Sequence, residues 1–256
     1  MVSAAPITGH QVVSREEWLA ARKEHLADEK RLTRLRDQLS AERRALPWVK
    51  VDKEYVFEAP DGPITLADLF NGKSQLILNH FMFGPEWEEG CLGCSFKADH
   101  LDGALLHITQ RDIAFVNVSR APLPKLMAFK ERMGWNFRWV SSYGSDFNSD
   151  YHVSYTEEDR AAGRPWLINF EERAAPEGDE EESGISVFYK DEQGVIYHTY
   201  SSFIRGDEAM MTSYSLIDLT PIGRNEIHGL AEWVHLHDRY ETDSASADHS
   251  SDCGCH

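Results

Sequence analysis

The sequence predicts an α/β domain: a three-layer α/β/α sandwich with one helix added on its N-terminal side. Three observations predict it. Two short, nearly continuous apolar runs, 75–83 (QLILNHFMF) and 113–118 (IAFVNV), read as strands covered on both faces. A helical pattern follows each run, and strands alternating with helices define the α/β class. Finally, 185–190 and 195–200 flank the turn Asp191-Glu192-Gln193-Gly194, the pattern of an antiparallel hairpin.

The elements follow in order. Residues 14–46 read as one long helix. Ser14 and Glu17 form a capping-box pattern, and Pro47 closes the run. Trp18, His25, Leu32, Leu39 and Leu46 recur every seven residues and Leu35 joins them. Such a stripe either packs on the domain itself or forms the seam of a homodimer. Short extended pieces at 48–51 and 55–57 precede the turn Ala59-Pro60-Asp61-Gly62. Thr65 is placed to cap a short helix over 66–70. The apolar run 75–83 is the central strand. A loop then leads to Cys91-Leu92-Gly93-Cys94 and a helix to about residue 110. The run 113–118 is the second buried strand, 123–133 a helix stopped by Gly134, and 138–141 a third strand. Residues 171–182 hold seven acids against one Arg and read as an exposed, mobile loop. The hairpin follows, then a helical stretch at 210–216. The organisation expected is an N-terminal arm and helix (1–46), one domain (47–240), and a Cys/His tail (241–256) expected to stay disordered.

The bulk composition excludes several function classes. A formal charge of −17 argues against nucleic acid and against an anionic membrane surface as partners. No run approaches the roughly 20 apolar residues of a membrane span, and residues 1–11 lack the basic and apolar regions of a signal peptide. A cytoplasmic location is expected. The four Cys fall into two close pairs, Cys91/Cys94 and Cys253/Cys255. In a reducing compartment such pairs point to redox or metal chemistry. No Gly-rich phosphate loop, HExxH or GxSxG is present.

The Cys91–Cys94 spacing suits dithiol chemistry, because one helical turn brings the two sulfurs within bonding reach. Cys91 at the helix N-terminus meets backbone N–H groups and the helix dipole, which stabilise a thiolate. Cys94, one turn inward, is placed to resolve a mixed disulfide. Trp87, with Phe83 and Phe96, is expected to shape the access groove. Glu86, Glu88 and Glu89 would oppose the thiolate, so a less reactive thiol is expected. His198 in the hairpin and Arg120 after the second strand are the assisting candidates. Arg120 stands at the strand edge where open α/β sheets hold ligands, either pairing an anionic substrate or forming a salt bridge.

The order strand, CxxC helix, strand, helix, hairpin, helix is the thioredoxin arrangement, and longer segments carry a closer resemblance. DGPITLADLFNGKSQLILNHFMFG (61–84) resembles the opening of peroxiredoxin-like domains. WVSSYGSDFNSDYHVSY (139–155) and SVFYKDEQGVIYHTY (186–200) resemble later segments of that superfamily. HFMFGPEWEEGCLGCSFKADHLDG (80–103), VSRAPLPKLMAFKERMGW (118–135), SSYGSDFNSDY (141–151) and YSLIDLTPIGR (214–224) together resemble one bacterial family of thioredoxin-like proteins known as a domain of unknown function. The resemblance spans about 10–240 and implies a thioredoxin-like, peroxiredoxin-like fold. Two positions differ from the better-known patterns. The stretch Glu182-Ser183-Gly184-Ile185 lacks the Pro that thioredoxins place before the hairpin, and Glu88 stands where peroxiredoxins carry Thr or Ser.

Three functions are therefore expected of this sequence. The first is a thiol–disulfide oxidoreductase or related thiol enzyme, acting on a small thiol, disulfide or other small molecule without a cofactor. The second is a copper or zinc protein using Cys91, Cys94 and either His198 or His80, since thiolate and imidazole suit those metals. The third is a non-catalytic interaction module built on the long helix. His249, Cys253, Cys255 and His256 read as metal ligands, as a redox shuttle to the CxxC, or as exposed thiols of no function.

Overall fold

The computed structural model describes residues 9–227, 229 and 231–240. The 241–256 segment, with His249, Cys253, Cys255 and His256, lies outside the described residues, as do residues 1–8.

Helix α1 (Arg15–Arg44) starts as its sequence dictates. The Ser14 hydroxyl accepts the Glu17 N–H at 3.2 Å, and the Glu17 carboxylate accepts the Ser14 N–H at 2.9 Å. The two residues thus satisfy each other's free donors. α1 buries none of its residues, and Trp18, Leu32, Leu35 and Leu39 stay exposed, as does Leu46 beyond its end. The Arg43 guanidinium sits over the Tyr200 ring at 4.8 Å.

The domain continues through β1 (Val49–Lys50), β2 (Val56–Ala59), β3 (Gly62–Thr65), α2 (Leu66–Leu69), β4 (Gln75–His80), α3 (Leu92–Ile108), β5 (Ile113–Ser119), α4 (Leu123–Arg132) and β6 (Trp139–Ser141). After these come α5 (Phe147–Asp150), β7 (Ser154–Tyr155), α6 (Glu157–Ala161), β8 (Trp166–Ile168), β9 (Glu171–Arg173), β10 (Glu180–Glu181), β11 (Gly184–Lys190), β12 (Ile196–Phe203) and α7 (Thr212–Ile217). The main sheet has the order β1-β12-β11-β4-β5-β6-β2-β3. β4 and β5 pair in parallel from Gln75↔Ile113 to His80↔Val118, and β6 continues the parallel set. β11 runs antiparallel to both β4 and β12. Three parallel strands joined to an antiparallel hairpin, with the CxxC helix following the central strand, form the thioredoxin-like α/β fold that the element order predicts.

Strand alternation divides the core in two. Leu76, Leu78, Val116, Val118 and Val140 face α2 and Phe147 of α5. On the other face Phe81, Phe83 and Trp139 pack with Cys94 and Ala98 of α3 and with Leu126 and Phe129 of α4. The cysteine pair therefore belongs to the α3/α4 side of the sheet.

Two expectations need correction. The central strand ends at His80 rather than Phe83, although the chain stays tied to its neighbour: the Phe81 N–H donates to the Val118 carbonyl at 2.9 Å. The acidic stretch 171–182 is also not one exposed loop. β9 pairs with β8 and β10 pairs with β7, and Glu181 is buried. Burial is sustained because Arg120 Nε donates to Glu181 at 2.6 Å and the Ser154 hydroxyl donates to it at 2.5 Å.

Candidate active site

Cys91 is the N-cap residue of α3, and Cys94 lies in the first turn. The loop delivers them through a gap between two aromatic rings. A Cβ on Gly90 would stand 2.6 Å from the Phe81 ring and 2.9 Å from that of Phe129, so only glycine passes there. Two bonds then lock the turn: the Cys91 N–H donates to the Met82 carbonyl at 3.0 Å, and the Met82 N–H donates to Cys94 Sγ at 3.4 Å. Lys125 of α4 holds the loop from outside, donating to the Pro85 carbonyl at 2.7 Å and the Trp87 carbonyl at 2.9 Å.

The two thiols differ sharply. Cys91 is partly exposed, whereas Cys94 is 2% exposed, and both are free. The Cys91 thiol is drawn down to about 6. The hydrogen bond from Cys94 is the main cause, helped by the N–H groups of Cys94 and Gly93 and by the charge of Lys97, against the opposing effect of burial. Cys94 moves up, because it keeps the proton of that shared hydrogen bond and because it is buried. The loop acids are not among the leading influences on the Cys91 thiol. Glu86 and Glu88 are exposed, while Glu89 is engaged by Arg132 at 2.5 Å and by Arg239. The acid whose carboxyl senses the Cys91 charge is instead Glu182, pushed up first by burial, then by Glu180 and by Cys91.

A cavity of about 140 Å³ opens in front of the pair, lined by Cys91, Cys94, Lys97, Ile204, Met211 and Tyr214 among others. Ser183 also faces it, so the stretch that lacks the thioredoxin Pro still stands opposite the cysteines. Lys97, one helical turn beyond Cys94, is fully buried and pairs with the equally buried Asp207 of the 204–210 turn. Sequence reasoning missed both. A lysine in a mixed helix reads as solvated, and its partner lies 110 residues away.

The assisting residues predicted from sequence are placed elsewhere. His80 and His198 do not meet the cysteines. His80 alternates onto the opposite face of the sheet, where its ring stacks on Phe147 at 5.9 Å and its Nε2 lies 2.8 Å from the Ser186 hydroxyl. His198 bonds the Ser201 hydroxyl at 2.8 Å and packs against Phe188 on that same side. Among the described residues no three His, Cys, Asp or Glu side chains group as metal ligands would, so the copper or zinc site of Cys91, Cys94 and a His is not assembled. Arg120 is occupied by Glu181 and, at 3.2 Å, by Asp179; the salt-bridge alternative is the one realised. Trp87, like Cys91, is partly buried against the α3/α4 core cluster, whereas Ile204, Met211 and Tyr214 wall the cavity. Phe83 is wholly buried beneath, and Phe96 packs on Tyr214 at 5.3 Å.

A thioredoxin-like fold with a CxxC at the start of the helix after its central strand defines the class: a thioredoxin-like protein with a dithiol centre. Within that class the chain belongs to the family described as bacterial protein of unknown function (DUF899), which it matches over residues 7–240. No curated protein matches it. Among solved structures it is similar to a mutant of PrxQ from Xylella fastidiosa, at 13% identity over 63% of this chain and 85% of that one, with a TM-score of 0.41. It is also similar to a putative protein disulfide isomerase from Bacteroides thetaiotaomicron (18% identity, 66% and 87% of the two chains, TM-score 0.37). A third such structure is the peroxidoxin BcpB from Mycobacterium tuberculosis (14% identity, 66% and 96%, TM-score 0.38). No helix among the described residues is long and apolar enough to cross a membrane.

Proposed function

We propose that the chain is a thiol–disulfide oxidoreductase that uses Cys91 as nucleophile and Cys94 as resolving thiol, acting in the cytoplasm on low-molecular-mass disulfides. One observation carries the reading: the pair is divided into an accessible thiol of lowered pKa and a buried thiol of raised pKa. That division assigns which sulfur attacks first. The Cys91 thiolate attacks one sulfur of a substrate disulfide, and the departing thiolate takes a proton from solvent. Cys94 then loses its proton and attacks Cys91 Sγ, forming the Cys91–Cys94 disulfide and releasing the second substrate thiol. One substrate disulfide becomes two thiols, and one protein dithiol becomes a disulfide. Lys97 favours the thiolate at both sulfurs by its charge. The cavity of about 140 Å³ and its walls of Ile204, Met211 and Tyr214 favour a small substrate with an apolar part. No organic cofactor takes part in this chemistry.

The test is reduction of glutathione disulfide by the pre-reduced protein. Cys91→Ser is expected to abolish the reaction. Cys94→Ser is expected to stop it at a Cys91–glutathione adduct visible by intact mass. Full turnover in Cys91→Ser would overturn the reading.

A further inference from the structure

Helix α1 packs on almost nothing in its own chain. Helices in proteins owe most of their stability to an apolar face packed against another element. α1 runs for 30 residues, about 45 Å at its rise per residue, and buries none of them. Trp18, Leu32, Leu35 and Leu39, with Leu46 just past its end, are each between 46% and 49% exposed. A row of large apolar side chains left bare marks an interaction surface.

Three features of the helix select its occupant. The first is symmetry. Trp18, His25, Leu32, Leu39 and Leu46 are spaced by seven, so the row is symmetric about Leu32. Turned end for end, it sets Trp18 level with Leu46, His25 with Leu39 and Leu32 with itself, which makes it self-complementary. The second is charge. Residues 15–29 hold five acids against three bases, and 30–44 hold six bases against two acids. An antiparallel copy lays the acidic half on the basic half and opposes the two helix dipoles. The same register sets Arg22 level with Glu42 of the partner subunit and Asp28 level with Arg36 of the partner subunit, each pair made twice by the twofold axis. Arg22 Nη2 donates to Glu29 at 2.8 Å, but its Nη1 has no hydrogen-bond partner among the described residues. The third is the remainder of the chain, which is more acidic than the total of −17 because α1 is itself net positive. Antiparallel pairing holds the two domain entries, at Leu46, at opposite ends of the helix pair, far beyond a screening length of ~8 Å at ~0.15 M salt. Parallel pairing would set them side by side and lay like halves on like halves.

We propose that α1 pairs antiparallel with α1 of a second copy of this chain, with Leu32 at the twofold axis. A contact about 45 Å long and one helix (~10 Å) wide covers about 450 Å² on each copy. The two together come near the roughly 1,000 Å² at which specific interfaces begin, so a reversible dimer with a Kd on the order of micromolar is expected. Because α1 buries nothing against its own domain, pairing leaves the fold around Cys91 as it is.

The test is sedimentation velocity of the full chain in reducing buffer from ~1 to ~100 µM, where a reversible passage from monomer to dimer is expected. Leu32→Glu/Leu39→Glu is expected to remain monomeric throughout, with Cys91 alkylation unchanged as the check on folding. Arg22→Glu is expected to weaken the dimer about tenfold, and Arg22→Glu/Glu42→Arg to restore it. A dimer that survives Leu32→Glu/Leu39→Glu would place the interface elsewhere and overturn the proposal. Failure of the second charge change to restore the dimer would overturn the antiparallel register. An unaltered chain still monomeric at ~100 µM would refute the pairing; binding to phosphatidylcholine vesicles through α1 would then assign the face to a lipid surface, and no such binding would assign it to a different protein.

Discussion

At the scale of single residues, the site is a matter of where two protons sit. With the Cys91 thiol at about 6, roughly nine in ten molecules carry its thiolate at pH 7. Alkylation of Cys91 by iodoacetamide is therefore expected to be near its plateau at pH 7 and to fall tenfold per unit below pH 6. Lys97→Met removes a charge that lowers both thiols, so the midpoint of that profile should move up; an unmoved midpoint would mean that Lys97 is only structural. Lys97 and Asp207 also hold each other in the interior. Asp207→Ala leaves a buried ammonium alone and is expected to cost about 3–5 kcal/mol in urea unfolding. Removing both charges together in Lys97→Met/Asp207→Leu should cost much less. These two residues explain what the sequence could and could not disclose. Cys91 and Cys94 were legible because their spacing is itself the chemistry. Lys97 and Asp207 were not, because an ion pair between distant segments leaves no local pattern. His80 misled for a definite reason: a strand residue next to the active loop is near it in sequence, but alternation sends its side chain to the other face, where His198 of the hairpin also packs.

Elements bring their own consequences, and the clearest spans three adjacent strands. On the face opposite the cysteines, His80 of β4, Ser186 of β11, and Ser201 and His198 of β12 form one hydrogen-bonded chain with links of 2.8 Å. Burial, then the charges of Lys97 and His198, push His80 down to about 3. The folded state thus keeps His80 neutral while the unfolded chain protonates it below about 6.5. Stability from this group is complete above pH 6.5 and is lost as the pH falls toward 3. At pH 4.5 the loss should be about 2–3 kcal/mol, and His80→Gln should flatten that part of a stability–pH curve. α1 makes the contrasting case. Its capping box and seven-residue stripe were readable and its limits came out within two residues, yet it buries nothing. A chain beginning at residue 45 is therefore expected to keep its Cys91 reactivity and to change its melting temperature by no more than a few degrees, about what 1 kcal/mol gives in a domain of this size. The pairing of β10 with β7 was illegible from sequence because it brings Glu181 to Arg120 and Ser154, contacts that composition hides behind a run of acids.

The whole molecule carries a charge of −17, and that excess lies outside α1, whose 15–44 stretch has nine Lys and Arg against seven Asp and Glu. Salt then has two opposite effects. Exposed ion pairs such as Lys50–Asp52 and Arg173–Glu171 weaken as salt screens them, but each is worth only about 0–1 kcal/mol. The repulsion among the excess acids acts over the whole domain, with a screening length of about 30 Å at ~0.01 M salt and ~8 Å at ~0.15 M. A field summed over so many unbalanced charges outweighs a few weak pairs, so the repulsion decides the sign. The urea midpoint is therefore expected to rise as sodium chloride goes from ~0.01 to ~0.15 M, a range where screening changes most. Reversing the exposed acids Glu172, Glu177 and Glu192 to Lys should raise the midpoint at low salt and leave it nearly unchanged at high salt. A midpoint that falls with added salt would mean that the ion pairs around Glu89, Arg132 and Asp238, next to the active loop, contribute more to stability than the surplus charge takes away. In that case Arg132→Ala should abolish the salt effect, and the loop that presents Cys91 would be the element through which ionic strength reaches the chemistry.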